Sequence, residues 1–201
     1  MGLKEILEKR NIKKKYPYIL FWKIREWDIE SLTSTERSLN ALSEFNSNLI
    51  GNVFCLEIDL KNSPPPNKDG IKGCIDLASF SKDTRTIKLY KDYLHYSKFV
   101  HESVHLHEYN LRREYPTKFA EFMVDWYNLV HPKAYLGANW INADDIHRIR
   151  HGFIRLYSSK DASEDMATLV QHIAEGKKLP NLTIFEKKKN LLLDYGFLKS
   201  N

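Results

Sequence analysis

The stretch FVHESVHLHEY, residues 99–109, decides how the rest of this 201-residue chain is read. It sets His101, Glu102, His105, His107 and Glu108 among the apolar residues Phe99, Val100, Val104 and Leu106. From Ser97, a good N-cap residue, helical character runs to Tyr115 and stops there, because Pro116 disfavours helical backbone in the residue before it. Within such a helix His101 and His105 stand one turn apart, with Cβ atoms about 5–6 Å from each other. Two imidazoles so placed can both reach one Zn²⁺ at about 2.0–2.1 Å. Glu102 lies about 100° round the helix, beside such an ion rather than on it. That position suits a general base acting on a water that the metal has made acidic. His107 points away from the His101/His105 face and reads as a surface residue, exposed or partly buried. Glu108 lies on the ligand side one turn further on and reads as a helix-surface carboxylate, with support of the site as the other reading.

Before this helix the chain reads as strands. NVFCLEIDL (52–60), IKGCIDLASF (71–80) and RTIKLY (85–90) are rich in β-branched and aromatic residues. KNSPPPNKDG (61–70) is a loop, since three prolines continue neither helix nor sheet ladder. Further upstream, TSTERSLNALSEFNSNL opens with a capping-box pattern, Thr33 to Glu36. After Pro116 the pattern is helical: PTKFAEFMVDWYNLVH, then a Gly/Asn/Asp-rich segment (137–145), a helix from Asp161 to Gly176, and a last one holding KKKNLLLDYG. The fold expected is α+β: a small, mostly antiparallel sheet of about three strands, then the H-E-x-x-H helix and a helical C-terminal half. One domain over 1–201 is expected, with residues 1–30 open to reading as a separate helical arm.

Composition narrows the function classes. With 42% apolar residues the chain can bury a sizeable core. The net charge of +5 is modest, and its basic runs, KRNIKKK (9–15) and KKK (187–189), read as solvated faces rather than a nucleic-acid surface. No apolar run is long enough to span a membrane, and MGLKEILEKR does not read as a signal peptide. Cys55 and Cys74 read as buried small residues in strands, with a pair between them as the alternative.

A hydrolytic zinc takes a third protein ligand and keeps an open position. The long pattern H-E-x-x-H-x-x-G-x-x-H would need glycine at 108 and histidine at 111, where this chain has Glu108 and Leu111. Downstream candidates are Glu114, Glu121, His131, Asp144, Asp145, His147, His151 and Glu164. The segment GFIRLYSSKDASEDMATL (152–169) resembles the one with which zinc peptidases of the gluzincin type supply a glutamate ligand from a second helix. The likeness is to anthrax lethal factor-like peptidases and to zinc-binding metallopeptidases of bacteria and phages. In that pattern a tyrosine precedes the glutamate by seven residues and an alanine follows by three, as Tyr157 and Ala167 flank Glu164. The departure is Thr168, where many members have a second glutamate.

The resemblance implies zinc held by His101, His105 and Glu164, with Glu102 as general base and Tyr157 donating to the oxyanion. It also implies a peptide or protein substrate laid along an edge strand, here RTIKLY. Asp165 reads either as an outer acceptor for a ligand imidazole or as a first-turn acid favoured by the helix dipole. The alternative function is a binding or toxin-partner module with a structural or lost zinc site. A deformylase-like site is disfavoured, because Cys74 in KGCID lacks the glycine-rich segment before it.

Overall fold

The computed structural model describes residues 2–53, 55–59, 78–81, 86–90 and 95–199. They form helices α1 (Leu3–Lys15), α2 (Ile29–Phe45), α3 (Ser47–Gly51), α4 (Tyr96–Glu114), α5 (Pro116–Leu129), α6 (Asp145–Arg150), α7 (Ala162–Ala174) and α8 (Thr183–Asp194). The strands are β1 (Leu20–Trp22), β2 (Cys55–Asp59), β3 (Ala78–Ser81) and β4 (Thr86–Tyr90). The chain divides into two compact units, Met1–Leu106 and His107–Asn201, with the boundary inside α4.

The first unit carries the sheet, in the order β1-β2-β4-β3. β2 is parallel to β1 and to β4, with Leu56 opposite Ile87, while β3 is antiparallel to β4. The α+β class holds, but the mostly antiparallel sheet does not. A parallel pair needs a long crossover, whereas an antiparallel pair can be joined by a short turn. Between β1 and β2 the chain makes α2 and α3, and between β2 and β4 it makes β3. Only β3 and β4, separated by residues 82–85, have the short link that favours antiparallel pairing. β4 is also an inner strand, so the expectation that RTIKLY forms an edge is corrected.

Leu56, Ile87 and Leu89 are fully buried, as are Leu39 and Leu42 of α2. Together with Leu32 and Thr35 they place the buried face of α2 at the spacing of an amphipathic helix. α2 starts before the expected capping box: Asp28 accepts from the Ser31 N–H at 2.8 Å, and the Thr33 hydroxyl donates back to the Ile29 carbonyl. Residues 1–30 contribute β1 to the sheet and bury Ile12, Tyr16, Phe21, Ile24 and Trp27. Cys55 is buried as a free thiol; Cys74, the 61–70 loop and most of 71–80 lie outside the described residues.

The second unit is helical. Pro116 stands at the first position of α5, where its missing N–H costs no hydrogen bond. Phe122, Trp126, Phe153, Phe185, Leu192 and Phe197 are fully buried, and Phe122 stacks on Phe197 with ring centroids 5.2 Å apart. The run 187–189 is not one solvated face. Lys188 repeats the buried spacing of Phe185 and Leu192 on α8 and is itself buried. Among the described residues no helix is long and apolar enough to cross a membrane.

Candidate metal centre

α4 keeps its motif because the residues around it are the packed ones. Phe99, Val100, Val104 and Leu106 are fully buried, and His101, Glu102 and His105 are buried with them. The helical period brings His101 Nε2 to 3.2 Å from His105 Nε2, with the rings edge to face. A tetrahedral ion with bonds of about 2.0–2.1 Å has ligand edges of about 3.3–3.4 Å, so this spacing fits one ion between the two imidazoles.

A third candidate donor lies at the start of α7. Asp161 caps that helix, its Oδ1 accepting from the Glu164 N–H at 2.9 Å. The Glu164 carboxylate is engaged elsewhere: Oε1 accepts from the Tyr157 hydroxyl at 2.6 Å and lies 3.6 Å from Lys160 Nζ. One ligand atom from each of His101, His105 and Glu164 lies within 4.8 Å of the others. Among the described residues this is the group of His, Cys, Asp or Glu side chains placed closely enough to hold a metal ion. Two imidazoles and a carboxylate form a donor set suited to zinc.

Tyr157 lies in the 3₁₀ turn Leu156–Ser159, its ring edge-on to Trp140 at 5.0 Å. Glu102 is buried beside the pair and is not a member of the three-residue group.

The remaining candidates are occupied in other ways. His131 accepts from the Lys133 N–H, Asp144 caps α6 by accepting from the His147 N–H, and Asp145 pairs with Arg148. His147 Nε2 is 2.9 Å from the Ala134 carbonyl oxygen, with the His151 ring 4.7 Å from its own. Glu114 pairs with Arg113, and Glu121 is exposed.

His107 is partly buried as expected, its Nε2 3.1 Å from the Tyr195 carbonyl oxygen and its ring against Phe197. Burial there pushes its pKa down. Glu108 is not a surface carboxylate: it is buried, accepts from the Ser163 hydroxyl and pairs with Arg112. Asp165 does stand in the first turn of α7, as one of its two readings has it. Its carboxylate turns into the core, where Lys188 Nζ donates to it at 2.7 Å. Lys188 was missed because a lysine triplet reads as solvent-facing; the 185-188-192 spacing was the available signal.

No family model and no curated protein matches the chain. Among solved structures, the crystal structure of a "putative zinc-binding metallo-peptidase" from Bacteroides caccae is similar over 98% of this chain and 89% of that one. The TM-score is 0.58 and the identity 15%. At that identity the likeness carries the fold and not the chemistry. The chain thus has a metallopeptidase-like fold and, within it, a His/His/Glu cluster that could hold a metal.

Proposed function

We propose that this chain is a zinc-dependent peptidase of the gluzincin type, similar to the lethal factor-like peptidases. His101, His105 and Glu164 would hold the ion. The observation that carries the reading is the approach of a glutamate from a separate helix to an i, i+4 histidine pair. When bound, zinc supplies a Lewis acid that makes water acidic near pH 7 and polarises a carbonyl.

The chain's own residues supply the proton chemistry and the positioning. Glu102 takes a proton from the attacking water and delivers it to the leaving amine as the peptide bond breaks. Tyr157 donates its hydroxyl to the oxygen on which negative charge grows, a term worth about 10²–10³-fold in known oxyanion sites. That hydroxyl donates to Glu164 Oε1, which holds it beside the proposed donor set. A structural zinc site needs no general base beside its histidines, and this chain carries Glu102 there.

The test is metal analysis of protein prepared without chelator, followed by hydrolysis of a generic unfolded protein substrate before and after zinc removal. The expected result is about one zinc per chain, with cleavage lost on chelation and restored by zinc. Protein that holds zinc and cleaves neither this substrate nor a mixed peptide library would favour the structural site. Protein that takes up no zinc would remove the peptidase and the structural site and favour a lost site.

A further inference from the structure

The second unit holds a charge pair that the proposed chemistry leaves unused. Lys188 of α8 is 0% exposed and Asp165 of α7 is 1% exposed. Lys188 Nζ donates to Asp165 Oδ2 and to the Gly152 carbonyl, both at 2.7 Å. The Tyr135 hydroxyl donates to the same Oδ2 at 3.0 Å and accepts from Trp126 Nε1 at 2.9 Å. The ammonium lies 5.3 Å from the ring centroids of both Trp126 and Phe153. Burying two charges in such surroundings often stabilises a protein no better than apolar side chains of the same volume would. The pair is therefore better accounted for by the geometry it fixes.

That geometry is the first turn of α7. Three consecutive side chains there have three different anchors. Ser163 donates to Glu108 of α4, Glu164 accepts from Tyr157, and Asp165 is held by Lys188 and Tyr135. Successive residues point about 100° apart round the helix. The anchors thus act from different sides and oppose rotation of the turn about its own axis. The lever is long: side-chain ends lie about 5–6 Å from a helix axis, so a roll of about 20° carries a carboxylate about 2 Å. A metal ligand tolerates about 0.2 Å.

We propose that the buried Lys188–Asp165 pair is a positioning device for the metal centre, fixing the rotation of α7 so that Glu164 presents its carboxylate to His101 and His105. The inference rests on the reading of those three residues as zinc ligands. Lys188 touches none of them in this role and acts through Asp165.

The experiment replaces both charges at once, Lys188→Met with Asp165→Leu, so that no buried charge is stranded. Zinc affinity is measured by competition with a chelating dye, and the melting temperature is taken on the metal-free protein. Wild type, Glu164→Ala and the milder Tyr135→Phe, which keeps the ion pair and removes one donor to Asp165, are measured alongside. The double variant should bind zinc about 10–100-fold more weakly, the range for losing a group that orients a ligand. Its metal-free melting temperature should be unchanged or higher, which a merely structural pair would not combine with lost affinity. Tyr135→Phe should weaken zinc binding by a smaller factor. A folded double variant that binds zinc as tightly as wild type overturns the proposal; should it not fold, a Tyr135→Phe protein with wild-type affinity does so. Wild type that takes up no zinc, or Glu164→Ala that binds it undiminished, instead overturns the ligand reading on which the proposal stands.

Discussion

The hydroxyl of Tyr157 donates to Glu164 Oε1 at 2.6 Å. One short hydrogen bond thus ties the residue read as oxyanion donor to the residue read as third ligand. Tyr157→Phe removes the bond and leaves the ring against Trp140. Turnover should fall roughly 10–10³-fold, the scale for losing one such donor, with the melting temperature little changed. Kinetics and thermal melts on the same zinc-loaded preparation check this. A loss of stability that matches the loss of activity would instead make Tyr157 a packing residue.

Glu102→Gln separates base from ligand. The amide is nearly isosteric but takes up no proton at neutral pH. Zinc content should stay at the wild-type level while hydrolysis drops by about 10²–10⁴-fold, the usual contribution of a positioned acid–base group. Activity within tenfold of wild type would show that another group activates the water.

A third prediction concerns pH and the first unit. Burial, with Tyr18, Glu36 and Glu44 nearby, pushes the pKa of Tyr16 up to about 12, and its hydroxyl donates to Asn40. An unfolded tyrosine titrates near about 10. Because the folded value is the higher one, this contribution to stability is whole below about pH 10 and is lost as pH rises from there through about 12. Urea unfolding at pH 9 and pH 11 should therefore show a larger fall for wild type than for Tyr16→Phe. Tyr96, also raised to about 12, contributes equally to both proteins and cancels. Parallel falls would mean that Tyr16 ionises as freely folded as unfolded.

What could be read from the sequence was local. His101 and His105 meet because of one helical turn, and Pro116 and Asp161 mark helix ends through their own backbone and side-chain chemistry. Glu164 was reached only through the resemblance, since nothing in its spacing from His105 relates the two. What stayed hidden was set by long-range contacts. β1 is three residues long and owes its place to β2, and parallel pairing depends on crossovers that hydrophobic alternation does not report. The Glu108–Ser163 bond joins residues 55 apart in sequence. Asp165 reads as an outer acceptor for a ligand imidazole or as a first-turn acid, and Lys188 sits within a basic run, so neither points to the other.

The last prediction concerns Glu164, where a helix cap and a metal ligand compete for one carboxylate. Asp161 is the N-cap of α7, and Glu164 stands three residues on, where a capping-box glutamate would fold back to the cap's own N–H. In the structure the box is half made: Asp161 accepts from the Glu164 N–H, while the Glu164 carboxylate is taken up by Tyr157 and Lys160. The cap therefore belongs to Asp161, and substitutions should divide it from the ligand role proposed for Glu164. Asp161→Ala should cost about 0.5–2 kcal/mol, a fall of a few degrees in melting temperature for a chain of this size, with zinc retained. Glu164→Ala leaves the Asp161 cap in place and should change the melting temperature of the metal-free protein little. It should nevertheless give up zinc to a mild chelator that leaves wild type loaded, because losing one of three ligands exceeds the about 10–100-fold penalty for losing an outer partner. Chelator titration of the two variants side by side decides the matter. If Glu164→Ala holds zinc as firmly as wild type, the third ligand lies elsewhere and His131, His147 and His151 become the next substitutions to make.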